Sequence, residues 1–131
     1  MDAKRGYYSL IQFCPDSSRL EAVNVGVLLF CPEARFLAAR TAAGNHRAAK
    51  LVGRDGLDKA ALNSAKRAIE RRLEVDREFF QTLEYLQRFV ATRGNVLKLT
   101  APRPMKVFDP QHDLEALFAE LVGGRDRKSV V

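Results

Sequence analysis

Residues 7–31 read YYSLIQFCPDSSRLEAVNVGVLLFC, and this stretch predicts two β-strands joined by a polar loop. The second strand, 23–31, is the most apolar segment of the chain. Successive strand residues face opposite sides, so its odd positions form one wholly apolar face, while Asn24 and Gly26 begin the other. This pattern predicts a central strand that is buried on both faces toward its end.

The segments beyond this stretch carry turn and capping signals. Pro15 ends the first strand, because proline cannot donate to a sheet and restricts the residue before it. Asp58, Asp76 and Asp109 stand where helix N-caps are expected. The sequence therefore predicts strands over 7–13, 23–31, 35–41, 96–100 and 105–108, and helices over 46–52, 58–74, 76–92 and 109–122.

Three successive strands followed by helices and late strands favour an α+β fold. We expect a mainly antiparallel sheet of three to four strands with the helices packed on one face. The partner of the late strand stays open. The covered face is predicted to be that of Val23, Val25, Val27 and Leu29.

Length and composition indicate one ordinary globular domain. The 131 residues match a single domain, ordered over about 7–122, and the basic tail 124–131 is expected to be mobile. No apolar run approaches the ~18 residues of a membrane span. Residues 1–6 precede Tyr7 without the apolar run of a secretory signal. We therefore expect a cytoplasmic protein that has no membrane contact.

The net charge of +6 raises the question of nucleic-acid binding. Half of that charge belongs to the two ends of the chain, residues 1–6 and 124–131, so the body carries only +3. One helix holds a basic cluster, which is either a solvated face or a weak nucleic-acid contact. Its members are Lys66, Arg67, Arg71 and Arg72.

The two cysteines predict neither a disulfide nor a metal site. Cys14 and Cys31 would end the two hairpin strands at opposite ends, roughly 25 Å apart at ~3.3 Å per residue. A disulfide needs Cα atoms within about 7 Å of each other. The chain has no CxxC motif, and only His46 and His112 could add nitrogen ligands. We expect reduced thiols, no metal and no cofactor.

A polar motif, Arg19-x-Glu21-x-x-Asn24-x-Gly26, leads into the second strand. Glycine inside a strand packs no side chain and lowers stability, so it implies a bulge or the close approach of a ligand or another backbone. Asn24 brings an amide that both donates and accepts hydrogen bonds. The motif has two interpretations: a ligand or partner site, or a loop that an Arg19–Glu21 ion pair and the Asn24 amide hold in place.

The sequence contains no catalytic constellation. It lacks a Gly-x-Ser-x-Gly motif, a phosphate-binding glycine loop and a His-x-x-x-His pair. His46 and His112 are expected on the surface. A non-catalytic role is therefore the prediction from the residues.

Three motifs of the chain resemble the bacterial family called domain of unknown function 3037. They are YSLIQFCPDxxRxEAVNVGVLLF, the later LxLxxPRP and the closing LxxLFxxLV, and the resemblance spans about residues 7–122. It implies a small bacterial cytoplasmic protein whose Arg19, Glu21, Asn24 and Gly26 match the family pattern.

The resemblance also implies a partner. It suggests an accessory or binding module that acts with a HipA-like serine/threonine kinase, and hence an association with a toxin–antitoxin system. The alternative is a weak nucleic-acid-binding protein that uses the basic helix and the tail. The residues leave the ligand and the oligomeric state open.

Overall fold

A computed structural model describes residues 3–15, 21–53, 56–79, 82–92 and 97–123. The predicted loop residue Arg19 and the basic tail 124–131 lie outside these ranges. The strands are β1 (Lys4–Phe13), β2 (Val23–Cys31), β3 (Phe36–Thr41), β4 (Leu97–Leu99) and β5 (Arg103–Val107). The helices are α1 (His46–Val52), α2 (Lys59–Val75), α3 (Leu83–Thr92) and α4 (Pro110–Leu117), which continues into a π-helical segment, Phe118–Gly123.

The described strands form one antiparallel sheet with β1 at its centre. One side of β1 pairs with β2, which in turn pairs with β3. The other side pairs with β4 near Phe13 and with β5 near Lys4. Between these two short strands, the Leu10 N–H donates to Thr100 Oγ1 at 2.8 Å, and the Thr100 N–H donates to the Leu10 carbonyl at 3.0 Å. The α+β prediction is confirmed, with five strands where three to four were expected.

A β-bulge interrupts the pairing of β1 with β2. Ile11 pairs with Gly26 and Gln12 pairs with Asn24, which leaves Val25 as one extra residue in β2. An extra residue reverses the face to which every later side chain points. Val25 therefore faces one side of the sheet, whereas Val27 faces the other. The prediction that the odd positions of β2 share one face is wrong for this reason.

Helices pack on both faces of the sheet, where one face was expected. On one face α1, α2 and α3 cover a core that includes Ile11, Leu28 and Phe30. On the other face α4 and the π-helical segment cover a second, smaller core. Its buried members are Val27, Leu29, Cys31, Val107, Leu114, Phe118 and Val122.

Local signals set most of the helix ends. The Asp58 carboxylate accepts from the Ala61 N–H at 3.0 Å, and that of Asp109 accepts from the His112 N–H at 3.3 Å, as N-caps do. The helix predicted over 76–92 is instead a short 3₁₀ turn, Arg77–Phe79, followed by α3. Asp76, which was expected as the N-cap of that helix, is instead the C-cap of α2 and forms an ion pair with Arg72.

We predict that Gly26→Val lowers the free energy of unfolding by about 1–3 kcal/mol through overpacking. A Cβ at Gly26 would lie 2.9 Å from the Arg40 carbonyl oxygen and 3.0 Å from Thr41 Cγ2. The backbone of β3 cannot move away without disturbing its pairing with β2. Urea denaturation midpoints measure the effect.

Gly44→Val is the matched control, because a Cβ there meets no atom within 4 Å. Its stability should stay within about 0.5 kcal/mol of wild type, as for most surface substitutions. A Gly26→Val variant as stable as this control would contradict the close packing of β3 against Gly26.

Candidate functional site

Asn24 connects the bulge to the C-terminal end of the fold. Its Nδ2 donates to the Leu121 carbonyl at 3.0 Å, and its Oδ1 accepts from Gln12 Nε2 at 2.9 Å. These two bonds tie β1, β2 and the π-helical segment together. Both polar atoms of the Asn24 side-chain amide therefore form hydrogen bonds within the fold. This favours the structural interpretation for this residue.

The other members of the predicted motif have different surroundings. Gly26 is buried against β3, on the sheet face opposite to Asn24. Glu21 is partly buried and takes part in a polar contact. Arg19 lies outside the described residues, so the predicted Arg19–Glu21 pair stays a prediction. The structure brings Asn24, but not Gly26, to the wall of a cavity.

Lys66 forms a buried clamp on the loop that follows β3. Its side chain is only 4% exposed, and its ammonium group donates three hydrogen bonds. The acceptors are the Ala42 carbonyl at 2.9 Å, the Gly44 carbonyl at 3.0 Å and Asn45 Oδ1 at 2.7 Å. Lys66 thus holds residues 42–45 against α2, and Asn45 serves this clamp rather than capping α1 with its side chain.

Burial gives Lys66 an unusual titration. Removal from water lowers the pKa of its ammonium below the ordinary value of 10.5, and the Glu70 carboxylate acts in the opposite direction. Glu70 is itself held by Thr41, whose Oγ1 donates to Glu70 Oε2 at 2.9 Å. Lys66 and Glu70 together anchor the end of β3 to α2.

A cavity of about 310 Å³ opens beside Asn24, and we name it the bulge cavity. Its walls come from the start of β2, the end of β3, the clamped loop, α1 and the π-helical segment. Most of the lining is apolar, and among the lining residues that the structure describes none is acidic. Its walls include Asn24, Arg40, Gly44, Ala48, Phe118 and Val122.

Arg40 brings a positive charge to the wall of the bulge cavity. Its guanidinium carbon lies 4.5 Å from the centre of the Phe118 ring, within the range of a cation–π contact. Its Nη1 also donates to the carboxylate of Glu115 on α4. Both charged side chains keep about 40% of their surface exposed, so the ion pair adds little to stability. Its effect is to fix the guanidinium on the aromatic ring.

A second surface runs along the outer side of β3, and we name it the β3 groove. Two adjoining depressions form it, of about 580 Å³ and 430 Å³, which share Leu37 and Arg77. Arginine and glutamate alternate along its helical wall. Its charged members are Arg35, Arg67, Glu70, Arg71, Glu74, Arg77 and Glu78.

The structure separates the four residues of the predicted basic cluster. Lys66 points into the protein, and Arg72 forms an ion pair with Asp76. Arg67 and Arg71 line the β3 groove. Two of the four residues are thus brought together on one surface.

The two cysteines and the two histidines are the remaining candidate residues from the sequence. Cys14 and Cys31 do not form a disulfide, and Cys31 is buried. His46 lies on the wall of the bulge cavity and His112 in the first turn of α4, and both are exposed. Within the described ranges, no three His, Cys, Asp or Glu side chains come close enough to hold a metal ion. The same ranges contain no helix with the length and apolarity of a membrane span.

Sequence reasoning missed Lys66 as a buried group and missed Arg40 altogether. Lys66 stands three residues before Ile69 and four after Leu62, on the apolar stripe of α2, and this position was the available signal. Arg40 gave no local signal, because Glu115 and Phe118 lie more than 70 positions away in sequence.

Comparison with protein families gives a match over most of the chain. Residues 8–122 match the model of the family described as "Protein of unknown function (DUF3037)", so the resemblance seen in the sequence is confirmed. Neither the curated proteins nor the solved structures give a match.

We predict that Asn24→Ala lowers the free energy of unfolding by about 1–2 kcal/mol, since it removes two hydrogen bonds of ~1 kcal/mol each. Gln12→Ala is the matched variant, because it removes one of those bonds and keeps the bond to Leu121. Hydrogen exchange should show faster exchange over residues 118–123 in Asn24→Ala than in Gln12→Ala. Equal exchange in the two variants would contradict the role of Asn24.

We predict that Lys66→Met lowers the free energy of unfolding by about 1–3 kcal/mol at neutral pH, because three oxygen acceptors lose their donor. The gap in free energy of unfolding between wild type and Lys66→Met should widen as the pH rises from the lowered pKa of Lys66 toward 10.5. In that window the unfolded state binds more protons than the folded state, so wild-type stability rises with pH.

Urea denaturation of wild type and Lys66→Met across this pH window measures both effects. Lys59→Met is the control, since Lys59 is an exposed lysine on the same helix. A stability difference that did not change with pH would contradict the lowered pKa.

Proposed function

The chain belongs to the DUF3037 family, and we propose that it is a non-catalytic binding module for a partner protein. In this proposal an extended segment of the partner adds a strand to the open side of β3. The observation that carries the proposal is that β3 pairs with β2 on one side, while no strand in the described part of the chain pairs with its other side.

The outer side of β3 presents main-chain groups in the pattern that strand addition requires. The Ala42 N–H donates to the Val25 carbonyl at 2.8 Å, so the main-chain amide of Ala42 points toward β2. In an antiparallel ladder this direction alternates from one residue to the next. The amides of Leu37, Ala39 and Thr41 therefore point away from β2, where a further strand can bond to them.

The opposite edge of the sheet is poorly suited to the same use. There, β4 and β5 are short, and the Thr100 side chain replaces a main-chain partner of Leu10 between them. Pro102 lies between the two strands and Pro104 within β5. Prolines, irregularities and short strands are the means by which proteins block an edge. β3, Phe36–Thr41, contains no proline, which favours it as the docking edge.

Charges in the β3 groove suggest what the partner segment carries. The four arginines that line it outnumber its three glutamates, and Glu70 is already bonded to Thr41. An extended segment with carboxylate side chains would pair with Arg67 and Arg71 while its main chain bonds to β3. Steering by such charges raises the rate of association as well as its specificity.

A HipA-like serine/threonine kinase is the partner that we propose, on the basis of the family resemblance, and the module would act in a toxin–antitoxin context. A cytoplasmic location is part of the same proposal.

The test is calorimetric titration of the chain with a HipA-like kinase from the same genome. Ala39→Pro removes one outward amide and should weaken binding by about tenfold, the equivalent of ~1.4 kcal/mol. Ala39→Val is the control, because it keeps that amide. No binding by wild type would exclude the kinase as partner, and equal binding by the two variants would exclude the β3 edge.

Charge variants separate this proposal from the nucleic-acid alternative. Arg71→Glu and Arg72→Glu change the charge equally, but only Arg71 lines the β3 groove. Kinase binding should be lost in Arg71→Glu alone. If instead both variants weakened binding of duplex DNA equally, with a steep salt dependence, the nucleic-acid function would be supported. Sedimentation showing a dimer that Ala39→Pro dissociates would make a second copy of the chain the occupant.

A further inference from the structure

We propose that the bulge cavity binds a small carboxylate with an aromatic or branched apolar body. The site lies apart from the β3 groove and goes beyond the partner-binding function. The cavity of about 310 Å³ has the volume of roughly ten water-sized groups at ~30 Å³ each. That volume is at the lower end of small-molecule sites, which are mostly apolar and have few polar groups.

Three contacts hold the walls of the bulge cavity in place without a ligand. Asn24 bonds to the π-helical segment, and the buried Lys66 bonds to the loop at residues 42–45. Arg40 is fixed between Phe118 and Glu115. A cavity whose walls are fixed by polar contacts binds a ligand without first having to become ordered, which favours affinity.

The lining determines the chemistry of the ligand. Val25, Ala48, Phe118 and Val122 offer apolar surface, and Phe118 offers a ring face on which an aromatic body can pack. Arg40 and Arg47 supply positive charge, whereas none of the described lining residues is acidic. The combination is complementary to an apolar molecule with one anionic end.

Arg40 can bind such an anion without losing its present partner. A guanidinium has five N–H donors, and its Nη1 donates to Glu115. A ligand carboxylate can therefore share the guanidinium with Glu115, as planar arginine groups commonly allow. Arg40 then acts as a binding residue, and the Phe118 ring beneath it keeps the guanidinium in position.

The experiment titrates the ¹⁵N-labelled chain with phenylacetate, which has ten non-hydrogen atoms, and with the neutral phenylacetamide as its isostere. Phenylacetate should bind with a Kd on the order of 1 mM, at least about tenfold tighter than the amide. The amide resonances that shift should include those of Val25, Ala48 and Val122, which line the cavity.

Arg40→Met should weaken phenylacetate binding by about tenfold and leave phenylacetamide binding unchanged. Arg88→Met is the matched control, because the Arg88 guanidinium also lies over an aromatic ring, that of Tyr85, at 5.7 Å. A thermal melt and the phenylacetamide titration verify that Arg40→Met keeps its fold and its cavity.

Three results would overturn the proposal. The first is no binding of either compound up to ~10 mM, ten times the expected Kd. The second is equal affinity for acid and amide, which would remove the anionic selectivity. The third is binding that shifts only the amide resonances of residues outside the lining of the bulge cavity. Each result leaves the kinase titration unaffected, so the two proposals fail independently.

Discussion

The extra residue Val25 is the constraint on which the rest of the structure depends. Before the bulge the odd residues of β2 face α1, α2 and α3, and after it they face α4. The bulge thus places Val25 in the same core as Leu28 and Phe30, whereas Val27, Leu29 and Cys31 belong to the other core. Gly26 makes the change possible, because the Arg40 carbonyl of β3 lies 2.9 Å from where its Cβ would be. Asn24 then directs its amide to the π-helical segment and closes the second core from its end.

Local signals in the sequence predicted the elements well, because caps and turns act over a few residues. The bounds of β2 and α1 and the caps Asp58 and Asp109 are as expected. The bulge could not be predicted in the same way. β2 is apolar on both faces over much of its length, so a period of two does not reveal a residue that changes face. The division of the β2 residues between the two cores follows from that hidden change.

The candidate sites were harder to predict, because distant residues make them. Lys66 carries a charge that sequence patterns assign to a solvated helix face, yet its partners lie 21 to 24 positions earlier. Burying an ammonium is costly unless its donors are all satisfied. Here Ala42, Gly44 and Asn45 satisfy three donors, so the clamp is tolerated and the loop is fixed. The gain is a rigid wall for the bulge cavity rather than a large increase in stability.

β3 links the two proposed binding surfaces and also keeps them separate. Neighbouring residues of a strand point to opposite faces of the sheet. The Arg40 side chain accordingly lies with Glu115 and Phe118 of the C-terminal elements, whereas the β3 groove lies beside Arg67 and Arg71 of α2. A partner strand would bond to the main chain of β3, while a ligand would contact the Arg40 side chain. The two surfaces therefore use different groups of one six-residue strand, so the two proposals can be tested separately.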